Sequence, residues 1–383
     1  MTNLRGKTAI VGTAESDLGM VPPDTSIGDL MGQATHRALE DCGLKLSDID
    51  GVFVAASQSR MVGLMLCEYL GLQPRYLDST QVGGSSFMAH VKHAQAAIET
   101  GMCEVALIAY GSTQRTVGRA VASSREPLPY EDPYRPMMPP SAYAMVASRH
   151  MHKYGTTREQ LAEIAVAARK WALLNPKSWE KEPLSVEDVL NARMVSYPLT
   201  VRDCCLVTDG GGAIIMTTAE RAKDLKHKPA YVLGSGETTT HQSISNMPDF
   251  TVSGAVESGR QAYAMAGLSA TDVDVAVLYD AFTICTLMFL EDLGFCKKGE
   301  GGAFVDNGGI APGGHMPVNT NGGGLSYCHP GMYGLLVLIE AARQIHGVCD
   351  KRQIDGANVT LAHGNGGVFS SQCTVLLGSE NTL

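Results

Sequence analysis

The chain has 383 residues, 44% of them apolar, and a formal net charge of −9. That is more than one ordinary core needs, so it reads as a soluble globular protein with two core units or one large layered assembly. The acidic balance, with no basic run, excludes a nucleic-acid surface, and no stretch reaches the roughly 18 uninterrupted apolar residues of a membrane span.

The first dozen residues lack the long apolar core of a signal peptide, which places the protein in the cytoplasm. Ten scattered cysteines fit reduced thiols there better than a disulfide framework. An apolar strand, Thr8 to Val11, opens the fold. A helix then ends at Gly43, a Ser-Asp turn follows, and a β-branched strand runs to Val54. Gly83-Gly84-Ser85-Ser86 leads into a helix from Phe87 to Thr100.

From Thr116 to Leu199 the character changes. Pro127, Pro129, Pro133, Pro136, Pro139 and Pro140 exclude regular helix or central strand at the start, and helices follow over Ala142 to Tyr154 and Arg158 to Leu174. This reads as an inserted lid. His150 and His152 point to different helix faces and make a poor metal site, and adjacent Cys204 and Cys205 form no zinc knuckle. Lys170, Lys177 and Lys181 fit a solvated helix face better than a phosphate site. The strand Ala213 to Met216, entered through Asp209-Gly-Gly-Gly, returns to the first unit.

A second unit opens with the strand Ala230 to Leu233, and Leu233-Gly-Ser-Gly-Glu lacks the third glycine of a dinucleotide fingerprint. Ala262 to Leu278 aligns without gaps on Ala38 to Val54, matching Gly267 with Gly43, Asp272 with Asp48 and Asp274 with Asp50. Two similar α/β halves stacked on each other are the simplest reading, with boundaries 1–115 plus 200–222 for the first, 116–199 for the insert and 228–383 for the second.

Four glycine-dense motifs carry the chemistry: Gly83 to Ser86, Leu278-Tyr-Asp-Ala-Phe-Thr283, Asn319 to Gly334 (NTNGGGLSYCHPGMYG) and His363-Gly-Asn-Gly-Gly367. Glycine lets backbone N–H groups approach a ligand as oxyanion donors. Tyr279, Tyr327, Tyr333, His329 and His363 are candidates for proton transfer or packing. Asp280 orients a partner or caps a helix starting at Phe282, and Asn319, Asn365 and Gly366 stabilise turns or contact an oxyanion.

These motifs resemble the thiolase superfamily, in its sterol-carrier-protein thiolase branch, nearly end to end. The resemblance implies the thiolase fold, an α/β/α/β/α layering with an inserted loop domain. It puts Tyr279 at the Asn or His of the first motif, His329 at the Gly-His-Pro histidine and His363 at the second catalytic cysteine. Gly84 falls where a thiolase carries its acyl-bearing cysteine, and a one-residue slip offers Ser85. Without a cysteine nucleophile, what survives is enolate handling. The chain is similar to steroid side-chain-cleaving aldolases, which implies retro-aldol cleavage of a β-hydroxyacyl-CoA, with coenzyme A as part of the substrate and no bound cofactor or metal. It also implies a homodimer and a small OB-fold and zinc-ribbon partner giving a heterotetramer. The alternatives are an acyltransferase using Ser85 or a distant cysteine, and an inert acyl-CoA-binding scaffold. Loss of the cysteine side chain at Gly84 is further expected to enlarge the pocket for a branched or polycyclic substrate.

Overall fold

The computed structural model describes residues 4–118 and 128–383. The stretch 119–127 of the insert, with Pro127, lies outside the described residues. In chain order the main elements of the first half are β1 (Thr8–Glu15), α1 (Ile27–Cys42), β2 (Gly51–Val54), α2 (Val62–Leu70), β3 (Tyr76–Asp78), α3 (Ser86–Glu99) and β4 (Val105–Ser112). The insert supplies α4 (Pro140–Tyr154) and α5 (Arg158–Ala172), and β5 (Gly210–Thr218) follows it. The remainder comprises β6 (Ala230–Thr239), α6 (Ala255–Ala266), β7 (Val275–Leu278), α7 (Thr283–Asp292), α8 (Gly334–His346), β8 (Val359–Gly366) and β9 (Ser371–Gly378).

The internal repeat has a physical basis at each matched residue. Gly43 and Gly267 both take left-handed conformations, φ 81° and 66°, to end α1 and α6. Asp48 and Asp272 each accept the backbone N–H three residues back and close the next turn. Asp50 accepts the N–H groups of Glu104 and Val105, and Asp274 those of Asn358 and Val359. One carboxylate per half therefore pins the neighbouring parallel strand at its first residue, β4 beside β2 and β8 beside β7.

The nine strands run in the order β3-β2-β4-β5-β1-β6-β9-β8-β7. The two half-sheets are not fully separate, because β1 and β6 pair at Ala9 with Tyr231 and Ile10 with Ala230. Beyond that seam they diverge around a shared middle layer. Helix α3 packs on β2 and β4 on one side and on β6, β8 and β9 on the other, while α8 packs on β1 and β5 and on β7 and β8. With α1 outside the first half and α6 outside the second, the layers alternate helix, sheet, helix, sheet, helix. The N-termini of α3 and α8 meet closely: a Cβ on Gly334 would lie 1.9 Å from the carbonyl oxygen of Gly84.

A buried carboxylate ties the insert to both halves. Glu15, at the end of β1, accepts from Arg343 of α8, from Lys177 of the insert and from the Tyr327 hydroxyl. Burial raises its pKa, but the Arg343 and Lys177 charges outweigh that and hold the carboxyl well below its usual 4.5. A depressed carboxylate contributes stability above its unfolded pKa and loses it on acidification. Glu15 therefore stabilises the fold fully above about pH 4.5 and progressively less below it. Glu15→Ala strands the Arg343 charge and is expected to cost about 3–5 kcal/mol in urea unfolding at pH 7. Lys177 is thus bound to protein, and Lys181 donates to the Pro176 carbonyl. Among the described residues no helix is long and apolar enough to cross a membrane, and no group of His, Cys, Asp or Glu could hold a metal.

Candidate active site

The glycine-rich motifs converge where α3 and α8 begin. β7 ends at Leu278, and the chain turns there so that Tyr279 points into the junction. A Cβ on Gly84 would lie 2.1 Å from Cε2 of Tyr279 and 2.7 Å from the carbonyl oxygen of Asn365. The space of the expected cysteine side chain is therefore filled by the Tyr279 ring. This overturns the expectation that Gly84 enlarges the pocket: the glycine admits a tyrosine.

Tyr279 is 4% exposed, and its hydroxyl donates to the Gly331 carbonyl at 2.7 Å while accepting the Tyr333 N–H at 3.2 Å. Tyr110 of β4 does the same one residue earlier, donating to the Pro330 carbonyl and accepting the Met332 N–H. Two buried tyrosines thus hold the loop from Pro330 to Tyr333 by alternate peptide groups. Gly331, at φ 98°, supplies the left-handed turn between them. Burial raises both phenols well above the usual range, so each stays a proton donor at neutral pH.

His329 packs edge-on against Tyr279, ring centroids 5.5 Å apart, and stacks on Tyr333 at 5.8 Å. Its backbone is held by the Thr208 hydroxyl and by Gln114. Burial pushes the imidazole down to about 4, which keeps it neutral at pH 7, and its Nε2 has no partner among the described residues. Asp280 does not cap α7, whose start at Phe282 has no side-chain cap. Its carboxylate accepts the N–H groups of Gly324 and Leu325, and burial pushes it up to about 7. Tyr333 completes the cluster, its hydroxyl donating to Oδ1 of Asn321.

Other residues singled out by sequence lie elsewhere. The Tyr327 hydroxyl donates to Glu15, facing away toward the end of β1. Ser85 is fully buried with its hydroxyl between Ser371 and the Val82 carbonyl, and among the described residues no histidine hydrogen-bonds it. Asn319 accepts the Leu278 N–H through Oδ1 and fixes the end of β7. Gly366 packs against the Val82 backbone, where a Cβ would lie 1.7 Å from the Val82 carbonyl oxygen.

His363 has both ring nitrogens engaged inside the sheet, Nδ1 with Thr374 and Nε2 with Gln372 at 2.9 Å each. Its orientation follows from a chain of bonds. Tyr143 of α4 donates to the Gly367 carbonyl, so its oxygen accepts from Nδ2 of Asn365. Oδ1 of Asn365 then accepts from Gln372, whose Oε1 accepts the Nε2 proton of His363. His363 thus positions Asn365 and Tyr143 rather than facing the Tyr279 cluster, and burial pushes it down to about 3. Tyr110, Tyr143 and Asn321 are the site residues that sequence reasoning missed. No motif marks the two tyrosines, and Asn321 stands within a run where only Asn319 drew notice.

A cavity of about 230 Å³ opens on the outer side of the same loop, lined in part by Leu325, Ser326, Cys205, Arg169 and Arg202. Cys205 connects it to the cluster, its N–H donating to the Ala281 carbonyl.

Residues 236–379 match the family described as thiolase C-terminal domain-like. The chain is 33% identical to a steroid side-chain-cleaving aldolase of Thermomonospora curvata, over 96% of this chain and 97% of that one. It is also 31% identical to an acetyl-CoA acetyltransferase of Methanothermobacter thermautotrophicus, over 94% and 96%. Among solved structures, the Ltp2-ChsH2(DUF35) aldolase superposes over the whole of both chains with a TM-score of 0.88 and 30% identity. These relatives carry two different activities, carbon–carbon cleavage and acyl transfer, so the residues at the helix junction must decide between them.

Proposed function

The chain belongs to the thiolase superfamily, and from that premise we propose that it is a carbon–carbon lyase that cleaves a β-hydroxyacyl-CoA, with a steroid-like side chain, by a retro-aldol reaction. The observation that carries this reading is the Tyr279 ring packed against Gly84, the position to which the resemblance assigns the thiolase nucleophile. Acyl transfer needs an activated nucleophile, and Ser85, whose hydroxyl is tied to Ser371, does not offer one. Burial pushes the Cys285 and Cys328 thiols well up, away from the thiolate form.

Retro-aldol chemistry needs instead a base for the β-hydroxyl, donors for the enolate oxygen and an acid for its α-carbon. Neutral His329 takes the β-hydroxyl proton through its unpartnered Nε2. The Cα–Cβ bond then breaks, releasing a ketone or aldehyde and leaving the electron pair on the thioester as an enolate. Tyr279, kept protonated by burial, supplies the proton to the α-carbon, and once the products leave the phenolate regains a proton from solvent and the imidazolium gives one up to it, so the cycle closes with no net proton change. The Gly331 carbonyl holds the Tyr279 proton until a substrate atom replaces it. Asp280 keeps the glycine-rich turn in place through Gly324 and Leu325. Arg169 and Arg202 line the adjoining cavity together with Glu180, which pairs with both. No cofactor beyond coenzyme A in the substrate is called for.

A cytoplasmic homodimer fits the outer edge of β3, where Leu77 is 40% exposed, since an unpaired strand edge is a template for a second chain. A partner subunit is supported by the structural neighbour, an Ltp2-ChsH2(DUF35) aldolase, and the small OB-fold and zinc-ribbon protein implied by the resemblance is proposed for that place. Cleavage run in deuterium oxide tests the mechanism. One deuterium should appear at the α-carbon of the shortened acyl-CoA, with one ketone or aldehyde released per turnover. Shortened acyl-CoA without α-deuterium would contradict the enolate route.

A further inference from the structure

The turn that carries His329 also holds a buried amide group that the reaction as derived leaves unused. Asn321 is 2% exposed and its Oδ1 accepts two bonds, one from the Gly323 N–H at 2.9 Å and one from the Tyr333 hydroxyl at 3.1 Å. A backbone N–H can only donate, so Oδ1 must face it, and this fixes the amide with Nδ2 on its other side. That Nδ2 has no hydrogen-bond partner among the described residues. A buried donor left unmet costs about 1–3 kcal/mol, which a hydrogen bond to a bound group would recover.

The surroundings exclude a loosely placed side chain. The preceding residue, Thr320, donates to buried Glu340 and accepts from Gln344. Asn319 is locked to β7 through the Leu278 N–H, and the Asn321 carbonyl accepts from Asn175 of the insert. Three successive residues are therefore pinned from three directions. Tyr333 connects the two unpartnered groups of the loop: Asn321 holds its hydroxyl and the His329 imidazole stacks on its ring.

We propose that Asn321 is an oxyanion donor, its Nδ2–H hydrogen-bonding the thioester oxygen as that oxygen takes up negative charge in the enolate. The proposal rests on the retro-aldol reading above and adds to it the group that meets the charge. An amide N–H suits the task because it is a neutral donor that no pH change removes, and because its position is set before the charge develops. The rigid support of residues 319–321 supplies that preorganisation.

Asn321→Asp separates this role from a structural one. It keeps the oxygen that accepts from Gly323 and Tyr333 and removes only the N–H. Loss of one such donor lowers kcat by about 10²–10³-fold. The expected result for Asn321→Asp is that fall in kcat with KM little changed, recovering as the pH is lowered and the new carboxyl gains a proton to donate. A native-like variant whose kcat stays within about threefold of the parent overturns the proposal. A second measurement needs no variant. With asparagine amides labelled with ¹⁵N, the Asn321 side-chain protons should shift downfield on binding a ketone analogue of the acyl-CoA, and not on binding the thioether that lacks the carbonyl. Equal shifts with both analogues overturn the assignment. If the parent protein cleaves no β-hydroxyacyl-CoA, the reading of the reaction fails, while the amide shift still decides what Asn321 binds.

Discussion

Gly84→Cys, which would put back the side chain that a thiolase uses, is expected to abolish cleavage and destabilise the fold. The new Cβ would stand 2.1 Å from the Tyr279 ring and 2.7 Å from the Asn365 carbonyl oxygen. The first contact is with a ring already bonded at its hydroxyl to Gly331 and Tyr333, and the second is with backbone, so neither neighbour yields cheaply. Overpacking of this kind costs about 1–3 kcal/mol. Activity should fall further than stability, at least about 100-fold, because relief of the clash moves Tyr279 out of its place. Combining Gly84→Cys with Tyr279→Asn should restore much of the stability, since the smaller side chain clears the space, and restore none of the cleavage. A double-mutant cycle on thermal unfolding measures the coupling, which should be at least about 1 kcal/mol in the compensating direction. Additive effects would mean that the ring and the missing side chain do not compete for one space.

Tyr279→Phe removes the hydroxyl while keeping the ring in that space. It leaves the Gly331 carbonyl and the Tyr333 N–H without their buried partner and deletes the proposed acid. A stability loss of about 1–3 kcal/mol is expected from the two unmet groups. The loss in kcat should be about 10²–10⁴-fold, the range for a positioned proton donor. Tyr110→Phe is the internal control, because Tyr110 binds the same loop through the Pro330 carbonyl and the Met332 N–H. The two variants should lose similar stability. Only Tyr279→Phe should lose the additional catalytic factor, and it should do so with little change in KM. Equal kcat for the two would reduce Tyr279 to a loop anchor.

The architecture was legible where a residue type has a single local use. Gly43 and Gly267 end helices because they alone take the left-handed conformation cheaply, and Asp50 and Asp274 recur because each half must pin a parallel strand at the same point. The helices of the insert and the strands that open each half follow from apolar periodicity. The site was legible only in part. Tyr279 and His329 stood in motifs and meet in space, with ring centroids 5.5 Å apart. Asp280 could be read as a cap because an acid two residues before a helix start is a common one, yet its partners lie on a turn more than forty residues later. His363 sat in a suggestive loop, but strand pairing turned its side chain to Thr374 and Gln372. Tyr110 and Tyr143 carry no local signal, since they act on backbone some two hundred residues away in the other half. The volume argument at Gly84 failed for the same reason: a glycine reports that something approaches closely, and only the fold says that it is a tyrosine.

The central claim is that the protein breaks a carbon–carbon bond without ever carrying the acyl group. Intact-protein mass spectrometry during turnover of a β-hydroxyacyl-CoA, with the released products quantified in the same samples, tests it most directly. The expected result is an unmodified protein mass throughout, with ketone or aldehyde and shortened acyl-CoA formed in equal amounts and no free coenzyme A. A protein mass raised by the acyl group, with coenzyme A released in step, would contradict the account and return the chain to acyl transfer.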